Sequence, residues 1–218
     1  MDQAFWHERW RQNQIGFHAE AFNEHLQRHW PALQVVQGET VFVPLCGKSR
    51  DILWLMAQGY SVKGVELSSV AVKAFFAENG LSAHECRKEN FTVHQLDGLR
   101  LFCGDFFQLG FNDVGDVAAV WDRASLVALP PVMRAAYAAR MRQLLKPGTR
   151  ILLVAFDYPQ WEMQGPPFSV PTAEVGELYG GWCEVELLAT KDVLDDEPHF
   201  RQRGLSRMQE QVYKLTVD

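Results

Sequence analysis

The hydrophobic pattern of the 218 residues falls into three stretches. The first forty residues read as helical, with Trp6 and Trp10 four apart on one face. Trp30-Pro31 closes this stretch, because the residue before a proline is pushed out of the helical conformation. From Thr40 short apolar runs alternate with helix-period segments. VFVPLC is a strand broken by Gly47. Ser49 caps a helix with Ile52, Leu55 and Met56 on one face, and Gly59 stops it. SVKGVE is the second strand; Ser68 opens a second helix with Val72, Phe75 and Phe76 inward, and Gly80 ends it. This order calls for parallel strands joined by crossover helices. FTVHQLDGLRLFC interrupts it with two alternating runs about Asp97-Gly98, a two-residue hairpin signal. DVAAVWD is a buried strand ending at Asp122. Pro130-Pro131 opens a helix carrying Met133, Tyr137, Met141 and Leu144, and RILLVAFD is the fifth strand. Residues 157–171 read as loop, with a short helix over about 172–179. In the last stretch EVELLAT and QVYKLTV alternate, as an antiparallel edge pair does. The long charged loop between them is of a length that is usually functional or mobile.

Five mostly parallel strands followed by an antiparallel pair describe an α/β, Rossmann-like methyltransferase domain: a seven-stranded, mostly parallel sheet whose last strand is antiparallel. A nicotinamide dehydrogenase more often repeats strand–helix–strand units in a second half. The chain is read as one domain. Residues 1–39 form a helical N-terminal extension that covers the pocket, and residues 40–218 form the core.

Composition narrows the classes. Hydrophobic residues make up 47% and charged residues 22%, enough for a core without disulfides or metal. A net charge of -6 disfavours a nucleic-acid partner. The apolar runs at 52–57 and 151–156 are far short of the roughly 20 residues of a membrane span. MDQAFWHERW is not a secretory signal. Cys46, Cys86, Cys103 and Cys183 form no C-x-x-C pair, so reduced thiols and a cytoplasmic location are expected. His25 and His29 lie four apart on a helix, but no third ligand is visible nearby; no metal is expected. A small acidic chain of this kind is expected to be a monomer.

In an open α/β sheet, ligands bind beyond the carboxyl ends of the strands, where strand order reverses. After the first strand comes PLCGKSRD. Its single glycine gives fewer close backbone approaches than a pyrophosphate needs, and it is not a Walker loop. It suits a ligand without phosphate, or Gly47 merely makes a tight turn. Glu66 follows Gly47 by nineteen residues. That fits a carboxylate gripping a ribose diol, or an acid stabilised at a helix start. Asp105-Phe106 can hold and cover an adenine, or Asp105 is a helix cap. Arg123 can bind a carboxylate or steady a negative nucleophile, or it pairs internally with Asp122 or Glu66. Trp6, Trp10 and Phe17 are a lid over the pocket or a hydrophobic staple of the extension.

Together WHERWRQNQIGFH, VFVPLCGKSRD, GVELS, AVWDRASLVAL, GPPFSV and QVYKLTV resemble the thiopurine S-methyltransferases, from Phe5 to the last strand and most closely the compact bacterial branch. The resemblance implies a class I methyltransferase that transfers a methyl group from S-adenosylmethionine to sulfur on an aromatic heterocycle. It implies cofactor contacts at Trp10, Leu45, Glu66, Asp105, Phe106 and Arg123. Leu45 would act near the methionine end, Glu66 on the ribose and Asp105-Phe106 at the adenine. It places Phe17 against the aromatic substrate, and Arg123, as the catalytic residue, between the methionine end and the substrate. A basic residue of the loop at 192–207 is also implied near the substrate, either Arg201 or Arg203. The chemistry is in-line attack of a thiolate on the sulfonium methyl, with no general base evident from the sequence. The family also implies small thiols, or selenium and tellurium compounds such as tellurite in a detoxifying role. The competing reading is a non-catalytic S-adenosylmethionine-binding module of the same fold.

Overall fold

The computed structural model describes residues 3–196 and 198–218. In chain order the elements are α1 (Gln3–Arg11), α2 (Glu24–His29), β1 (Thr40–Val43), α3 (Asp51–Ala57), β2 (Ser61–Glu66) and α4 (Ser69–Glu78). There follow β3 (His84–Lys88), β4 (Phe91–Leu96), β5 (Leu99–Cys103), the single turn α5 (Phe111–Val114), β6 (Ala119–Arg123) and α6 (Pro131–Leu144). The chain ends with β7 (Arg150–Asp157), α7 (Thr172–Tyr179), β8 (Cys183–Asp192), α8 (Pro198–Gln202) and β9 (Gln209–Val217).

One sheet of nine strands runs β3-β4-β5-β2-β1-β6-β7-β9-β8. The five central strands, β5 to β7, are parallel to one another. β9 is antiparallel to both β7 and β8, as expected for the last strand. The strand count corrects the expected seven. β4 is the first arm of the Asp97-Gly98 hairpin, and β3 adds to it antiparallel at the sheet edge. All five residues of β3, HECRK, are exposed. A strand that buries none of its side chains leaves no apolar alternation to read, and its charges protect the edge.

The central strands bury both faces, so their neighbouring residues go to opposite cores. Val41, Val43, Trp121 and Leu152 pack with Ile52, Leu55 and Phe75 beneath α2, α3 and α4. Phe42, Val120, Ile151 and Leu153 pack with Tyr137, Met141 and Tyr179 beneath α6 and α7. Each fully buried aliphatic side chain contributes roughly 1.5–3 kcal/mol. A third, smaller cluster lies apart: Tyr158, Met163, Val193, Leu194, Phe200, Leu205 and Met208 join the segment after β7 to the segment between β8 and β9.

The helix signals are largely met. Ser68 caps α4, its Oγ accepting from Ala71 N; the cap position of α3 is Arg50, not Ser49, although Ser49 Oγ accepts from Asp51 N at 3.2 Å. Strand order reverses between β1 and β6, because β1 leads out to β2 on one side while β6 leads to β7 on the other. That reversal opens a crevice at the carboxyl ends.

Candidate active site

The crevice holds a cavity of about 650 Å³. Trp10, Phe17, Leu45, Glu66, Asp105, Phe106, Arg123 and Arg203 all border it. The loop after β1 turns sharply: Leu45 and Gly47 have φ of 43° and 54°. Ala124, directly after β6, has φ of 60°. Left-handed backbone at two non-glycine residues costs about 1–3 kcal/mol each and gathers at functional sites. Here the two follow β1 and β6, the neighbouring strands at the reversal.

Glu66 closes the floor between β1 and β2. Its two carboxylate oxygens accept from Gly47 N at 2.9 Å and Ser68 N at 2.7 Å. Burial lifts its carboxyl from 4.5 to about 7, against the pull of the Ser68, Gly47 and Leu67 amides. Each oxygen keeps acceptor capacity toward the cavity. Glu66 therefore both fixes the glycine turn and offers a dry carboxylate edge.

Asp105 is a cap and a cavity residue at once. Oδ1 accepts from Phe107 N at 2.9 Å, and Oδ2 accepts from Gln3 Nε2 at 2.8 Å, which ties the start of α1 to this edge. Phe106 is buried, its ring tilted against Tyr137 with centroids 4.8 Å apart, so it belongs to the core and to the cavity wall. Trp10 is buried over the turn: a Cβ at Gly47 would come within 3.0 Å of its ring. Phe17 meets Trp10 edge-on at 5.5 Å and Trp6 at 5.9 Å.

Among the described residues Arg123 pairs with neither Asp122 nor Glu66. Its Nη1 donates to the Phe17 carbonyl at 3.0 Å, joining the end of β6 to the N-terminal segment. Asp122 points away; it is fully buried and accepts from Tyr137 Oη at 2.7 Å. Burial lifts its carboxyl to about 6. Of the two loop arginines, Arg203 borders the cavity and lies over the Phe200 ring at 5.9 Å. Arg201 does not border it and pairs with Asp195 at the surface.

Sequence reasoning missed several residues. Asp51 is buried beside the cavity, accepting from Trp121 Nε1 at 3.0 Å and Asn23 N at 2.8 Å. His18 and His199 also line the cavity, as does Lys48, which pairs with Glu78 at 2.7 Å. Only their neighbours in the chain pointed there: His18 follows Phe17, and Lys48 and Asp51 lie within the glycine turn segment. His25, read beside His29, gathers Glu24 and Glu210 instead, with ligand atoms within 4.8 Å of one another. Lys191 Nζ lies 2.8 Å from Glu24 and supplies a positive charge to this group. No two cysteines are bonded.

The reversed parallel sheet, the single-glycine turn and the carboxylate at the end of β2 define a class I S-adenosylmethionine-dependent methyltransferase fold. A solved structure of a Burkholderia thailandensis 1,6-didemethyltoxoflavin-N1-methyltransferase with bound S-adenosylhomocysteine superposes with a TM-score of 0.61 at 16% identity, over 99% of this chain and 87% of that one. A thiopurine S-methyltransferase of Nitrosospira multiformis is 55% identical over 215 residues, 99% of this chain and 98% of its own length. One from Pseudomonas fluorescens strain SBW25 is 48% identical over the full length of both. The thiopurine S-methyltransferase family model matches residues 1–218, and the chain belongs to that family.

Proposed function

We propose that the protein methylates the sulfur of aromatic heterocyclic thiols such as thiopurines, with S-adenosylmethionine as methyl donor. The observation that carries this reading is the buried Glu66 edge: a carboxylate fixed by Gly47 N and Ser68 N, facing a cavity of about 650 Å³ with aromatic walls. The residues fit a sulfonium nucleoside. Glu66 would accept from the ribose diol and Asp105 from the adenine amino group. Phe106 would cover the ring, and the Leu45–Gly47 turn with Trp10 would close over the methionine end. When bound, S-adenosylmethionine supplies an electrophilic methyl group on a positively charged sulfur.

The chain's own contribution is placement and electrostatics. Phe17, Trp6 and Trp10 give an apolar wall for a flat ring and keep water out. Arg123 stands at the end of β6, already linking that strand to the Phe17 backbone, and would hold a negatively charged sulfur beside the turn. Holding both reactants in line in a dry cavity can supply several kcal/mol of the barrier reduction. Arg203 would serve the substrate side from the loop after α8. The same cavity extends the reading to small thiols and to selenium or tellurium nucleophiles. Four unbonded cysteines fit a reducing cytoplasm, and we place the protein there as a monomer.

Titration with S-adenosylmethionine followed by tryptophan fluorescence, then labelled methyl transfer to a panel of thiopurines, aliphatic thiols, selenite and tellurite, tests the reading. Saturable quenching with transfer to a thiopurine supports it. Binding without transfer to any thiol would leave a ligand-binding module.

A further inference from the structure

We propose that His18 takes the proton from substrate thiols that reach the cavity un-ionised. This role rests on the S-methyltransferase reading and adds to it the base that the sequence did not show. His18 directly follows Phe17 on the segment between α1 and α2 and lines the cavity. Its side chain is only 9% exposed. The Phe17 carbonyl beside it is held by Arg123, so one short stretch of backbone brings an aromatic wall, a cation and an imidazole to the same place. The ring has freedom to act: Nε2 lies 3.8 Å from Glu20 Oε1, too far for a hydrogen bond. The other cavity histidine, His199, lies tilted against Phe200 with ring centroids 3.9 Å apart.

Burial above all favours the neutral ring that a base requires. Burial, then the Lys48 ammonium, hold the imidazole below its ordinary value. Glu20 on the same segment and Glu78 at the end of α4 pull the other way, and Arg123 lowers it further. In the step itself the S–H bond breaks and its electron pair stays on sulfur. The proton joins the free ring nitrogen, and a neutral thiol and neutral imidazole become a thiolate and an imidazolium. Arg123 stands by the thiolate, and the imidazolium later returns its proton to water. A thiol that is already a thiolate at neutral pH needs none of this, so the role depends on substrate acidity.

The test compares wild type and His18→Gln at pH 7 with two probes: 4-nitrothiophenol, which is ionised there, and phenylmethanethiol, which is not. A general base contributes at least about 100-fold. The variant should therefore lose about 100-fold in kcat/KM with phenylmethanethiol and less than about threefold with 4-nitrothiophenol. Equal losses with both thiols, or no loss with either, would overturn the role. Two measurements on wild type stand independently of the variant's folding. Titration of the His18 ring by NMR without methyl donor should give a midpoint below about 6.5, the ordinary histidine value. The pH profile with phenylmethanethiol should level off above that same midpoint. A ring still charged at pH 7, or a rate that keeps climbing until the thiol itself ionises, would contradict it. If wild type methylates neither thiol, His18 has no such role; failure with 6-mercaptopurine as well would overturn the S-methyltransferase reading itself. Methylation of 4-nitrothiophenol by both proteins upholds that reading and leaves the phenylmethanethiol ratio to decide the role of His18.

Discussion

The two walls of the cavity are built differently. The wall at Leu45, Gly47, Glu66 and Asp105 lies on the ends of β1, β2 and β5, with the large cores of the sheet beneath it. Its side chains are held by backbone amides: Gly47 N and Ser68 N on Glu66, Phe107 N on Asp105. The opposite wall, with Phe200 and Arg203, rests on a cluster of seven buried residues between two long segments. Such small clusters open at lower free energy than the main core. The first wall is fixed before any ligand arrives and suits a constant donor; the second suits substrates that vary.

The sharpest way to break this contrast is at Glu66. Glu66→Ala should weaken S-adenosylhomocysteine binding by about 100-fold, near 2.7 kcal/mol, the scale of hydrogen bonds to a charged group; calorimetry that finds wild-type affinity would refute its role. The same carboxylate sets a pH dependence. The ribose hydroxyls donate, so the ligand needs the ionised form, and protonation competes as pH falls below about 7. Affinity should then drop about tenfold per pH unit, and Glu66→Gln should abolish the dependence. Stability of the ligand-free protein runs the other way. With its folded pKa raised from 4.5 to about 7, Glu66 binds a proton before the unfolded chain does, so its contribution becomes more favourable as pH falls through that window.

Arg123 comes next, because it joins the end of β6 to the N-terminal segment. Arg123→Ala should lower kcat/KM for thiols at least about tenfold, or about 1.4 kcal/mol, with S-adenosylhomocysteine affinity changed less than by Glu66→Ala. Unchanged kinetics would remove it from the reaction. On the loop wall, Arg203→Ala should raise the thiol KM by about threefold to tenfold, about 0.7–1.4 kcal/mol, and leave S-adenosylhomocysteine affinity untouched. Arg201→Ala should change neither by more than about 0.5 kcal/mol, as a solvent-facing pair does. If the two arginines exchanged these effects, the orientation of α8 would be wrong.

The same contrast explains what the sequence made legible. Glu66 could be placed because strand, turn and helix each leave a periodic signal, and the nineteen residues from Gly47 span one such unit. That the central strands are parallel followed from the same signals. β3 could not be read, since HECRK pairs through backbone and buries nothing. Arg201 and Arg203 could not be told apart, because the answer depends on α8, five residues long. Arg201 lies on α8 and Arg203 in the turn just after it, so where the helix stops decides which arginine reaches the cavity. His18 and Asp51 were hidden for another reason: their neighbours come from β6, α4 and the segment before α2, far apart in the chain.

On the S-methyltransferase reading the fixed wall presents the methyl donor to a sulfur held beside Arg123. Incubation of the protein with S-adenosylmethionine and 6-mercaptopurine, followed by identification of the methylated atom, tests it most directly. The S-methyl product is expected. A product methylated on a ring nitrogen, or saturable donor binding with no methylated product, would contradict it.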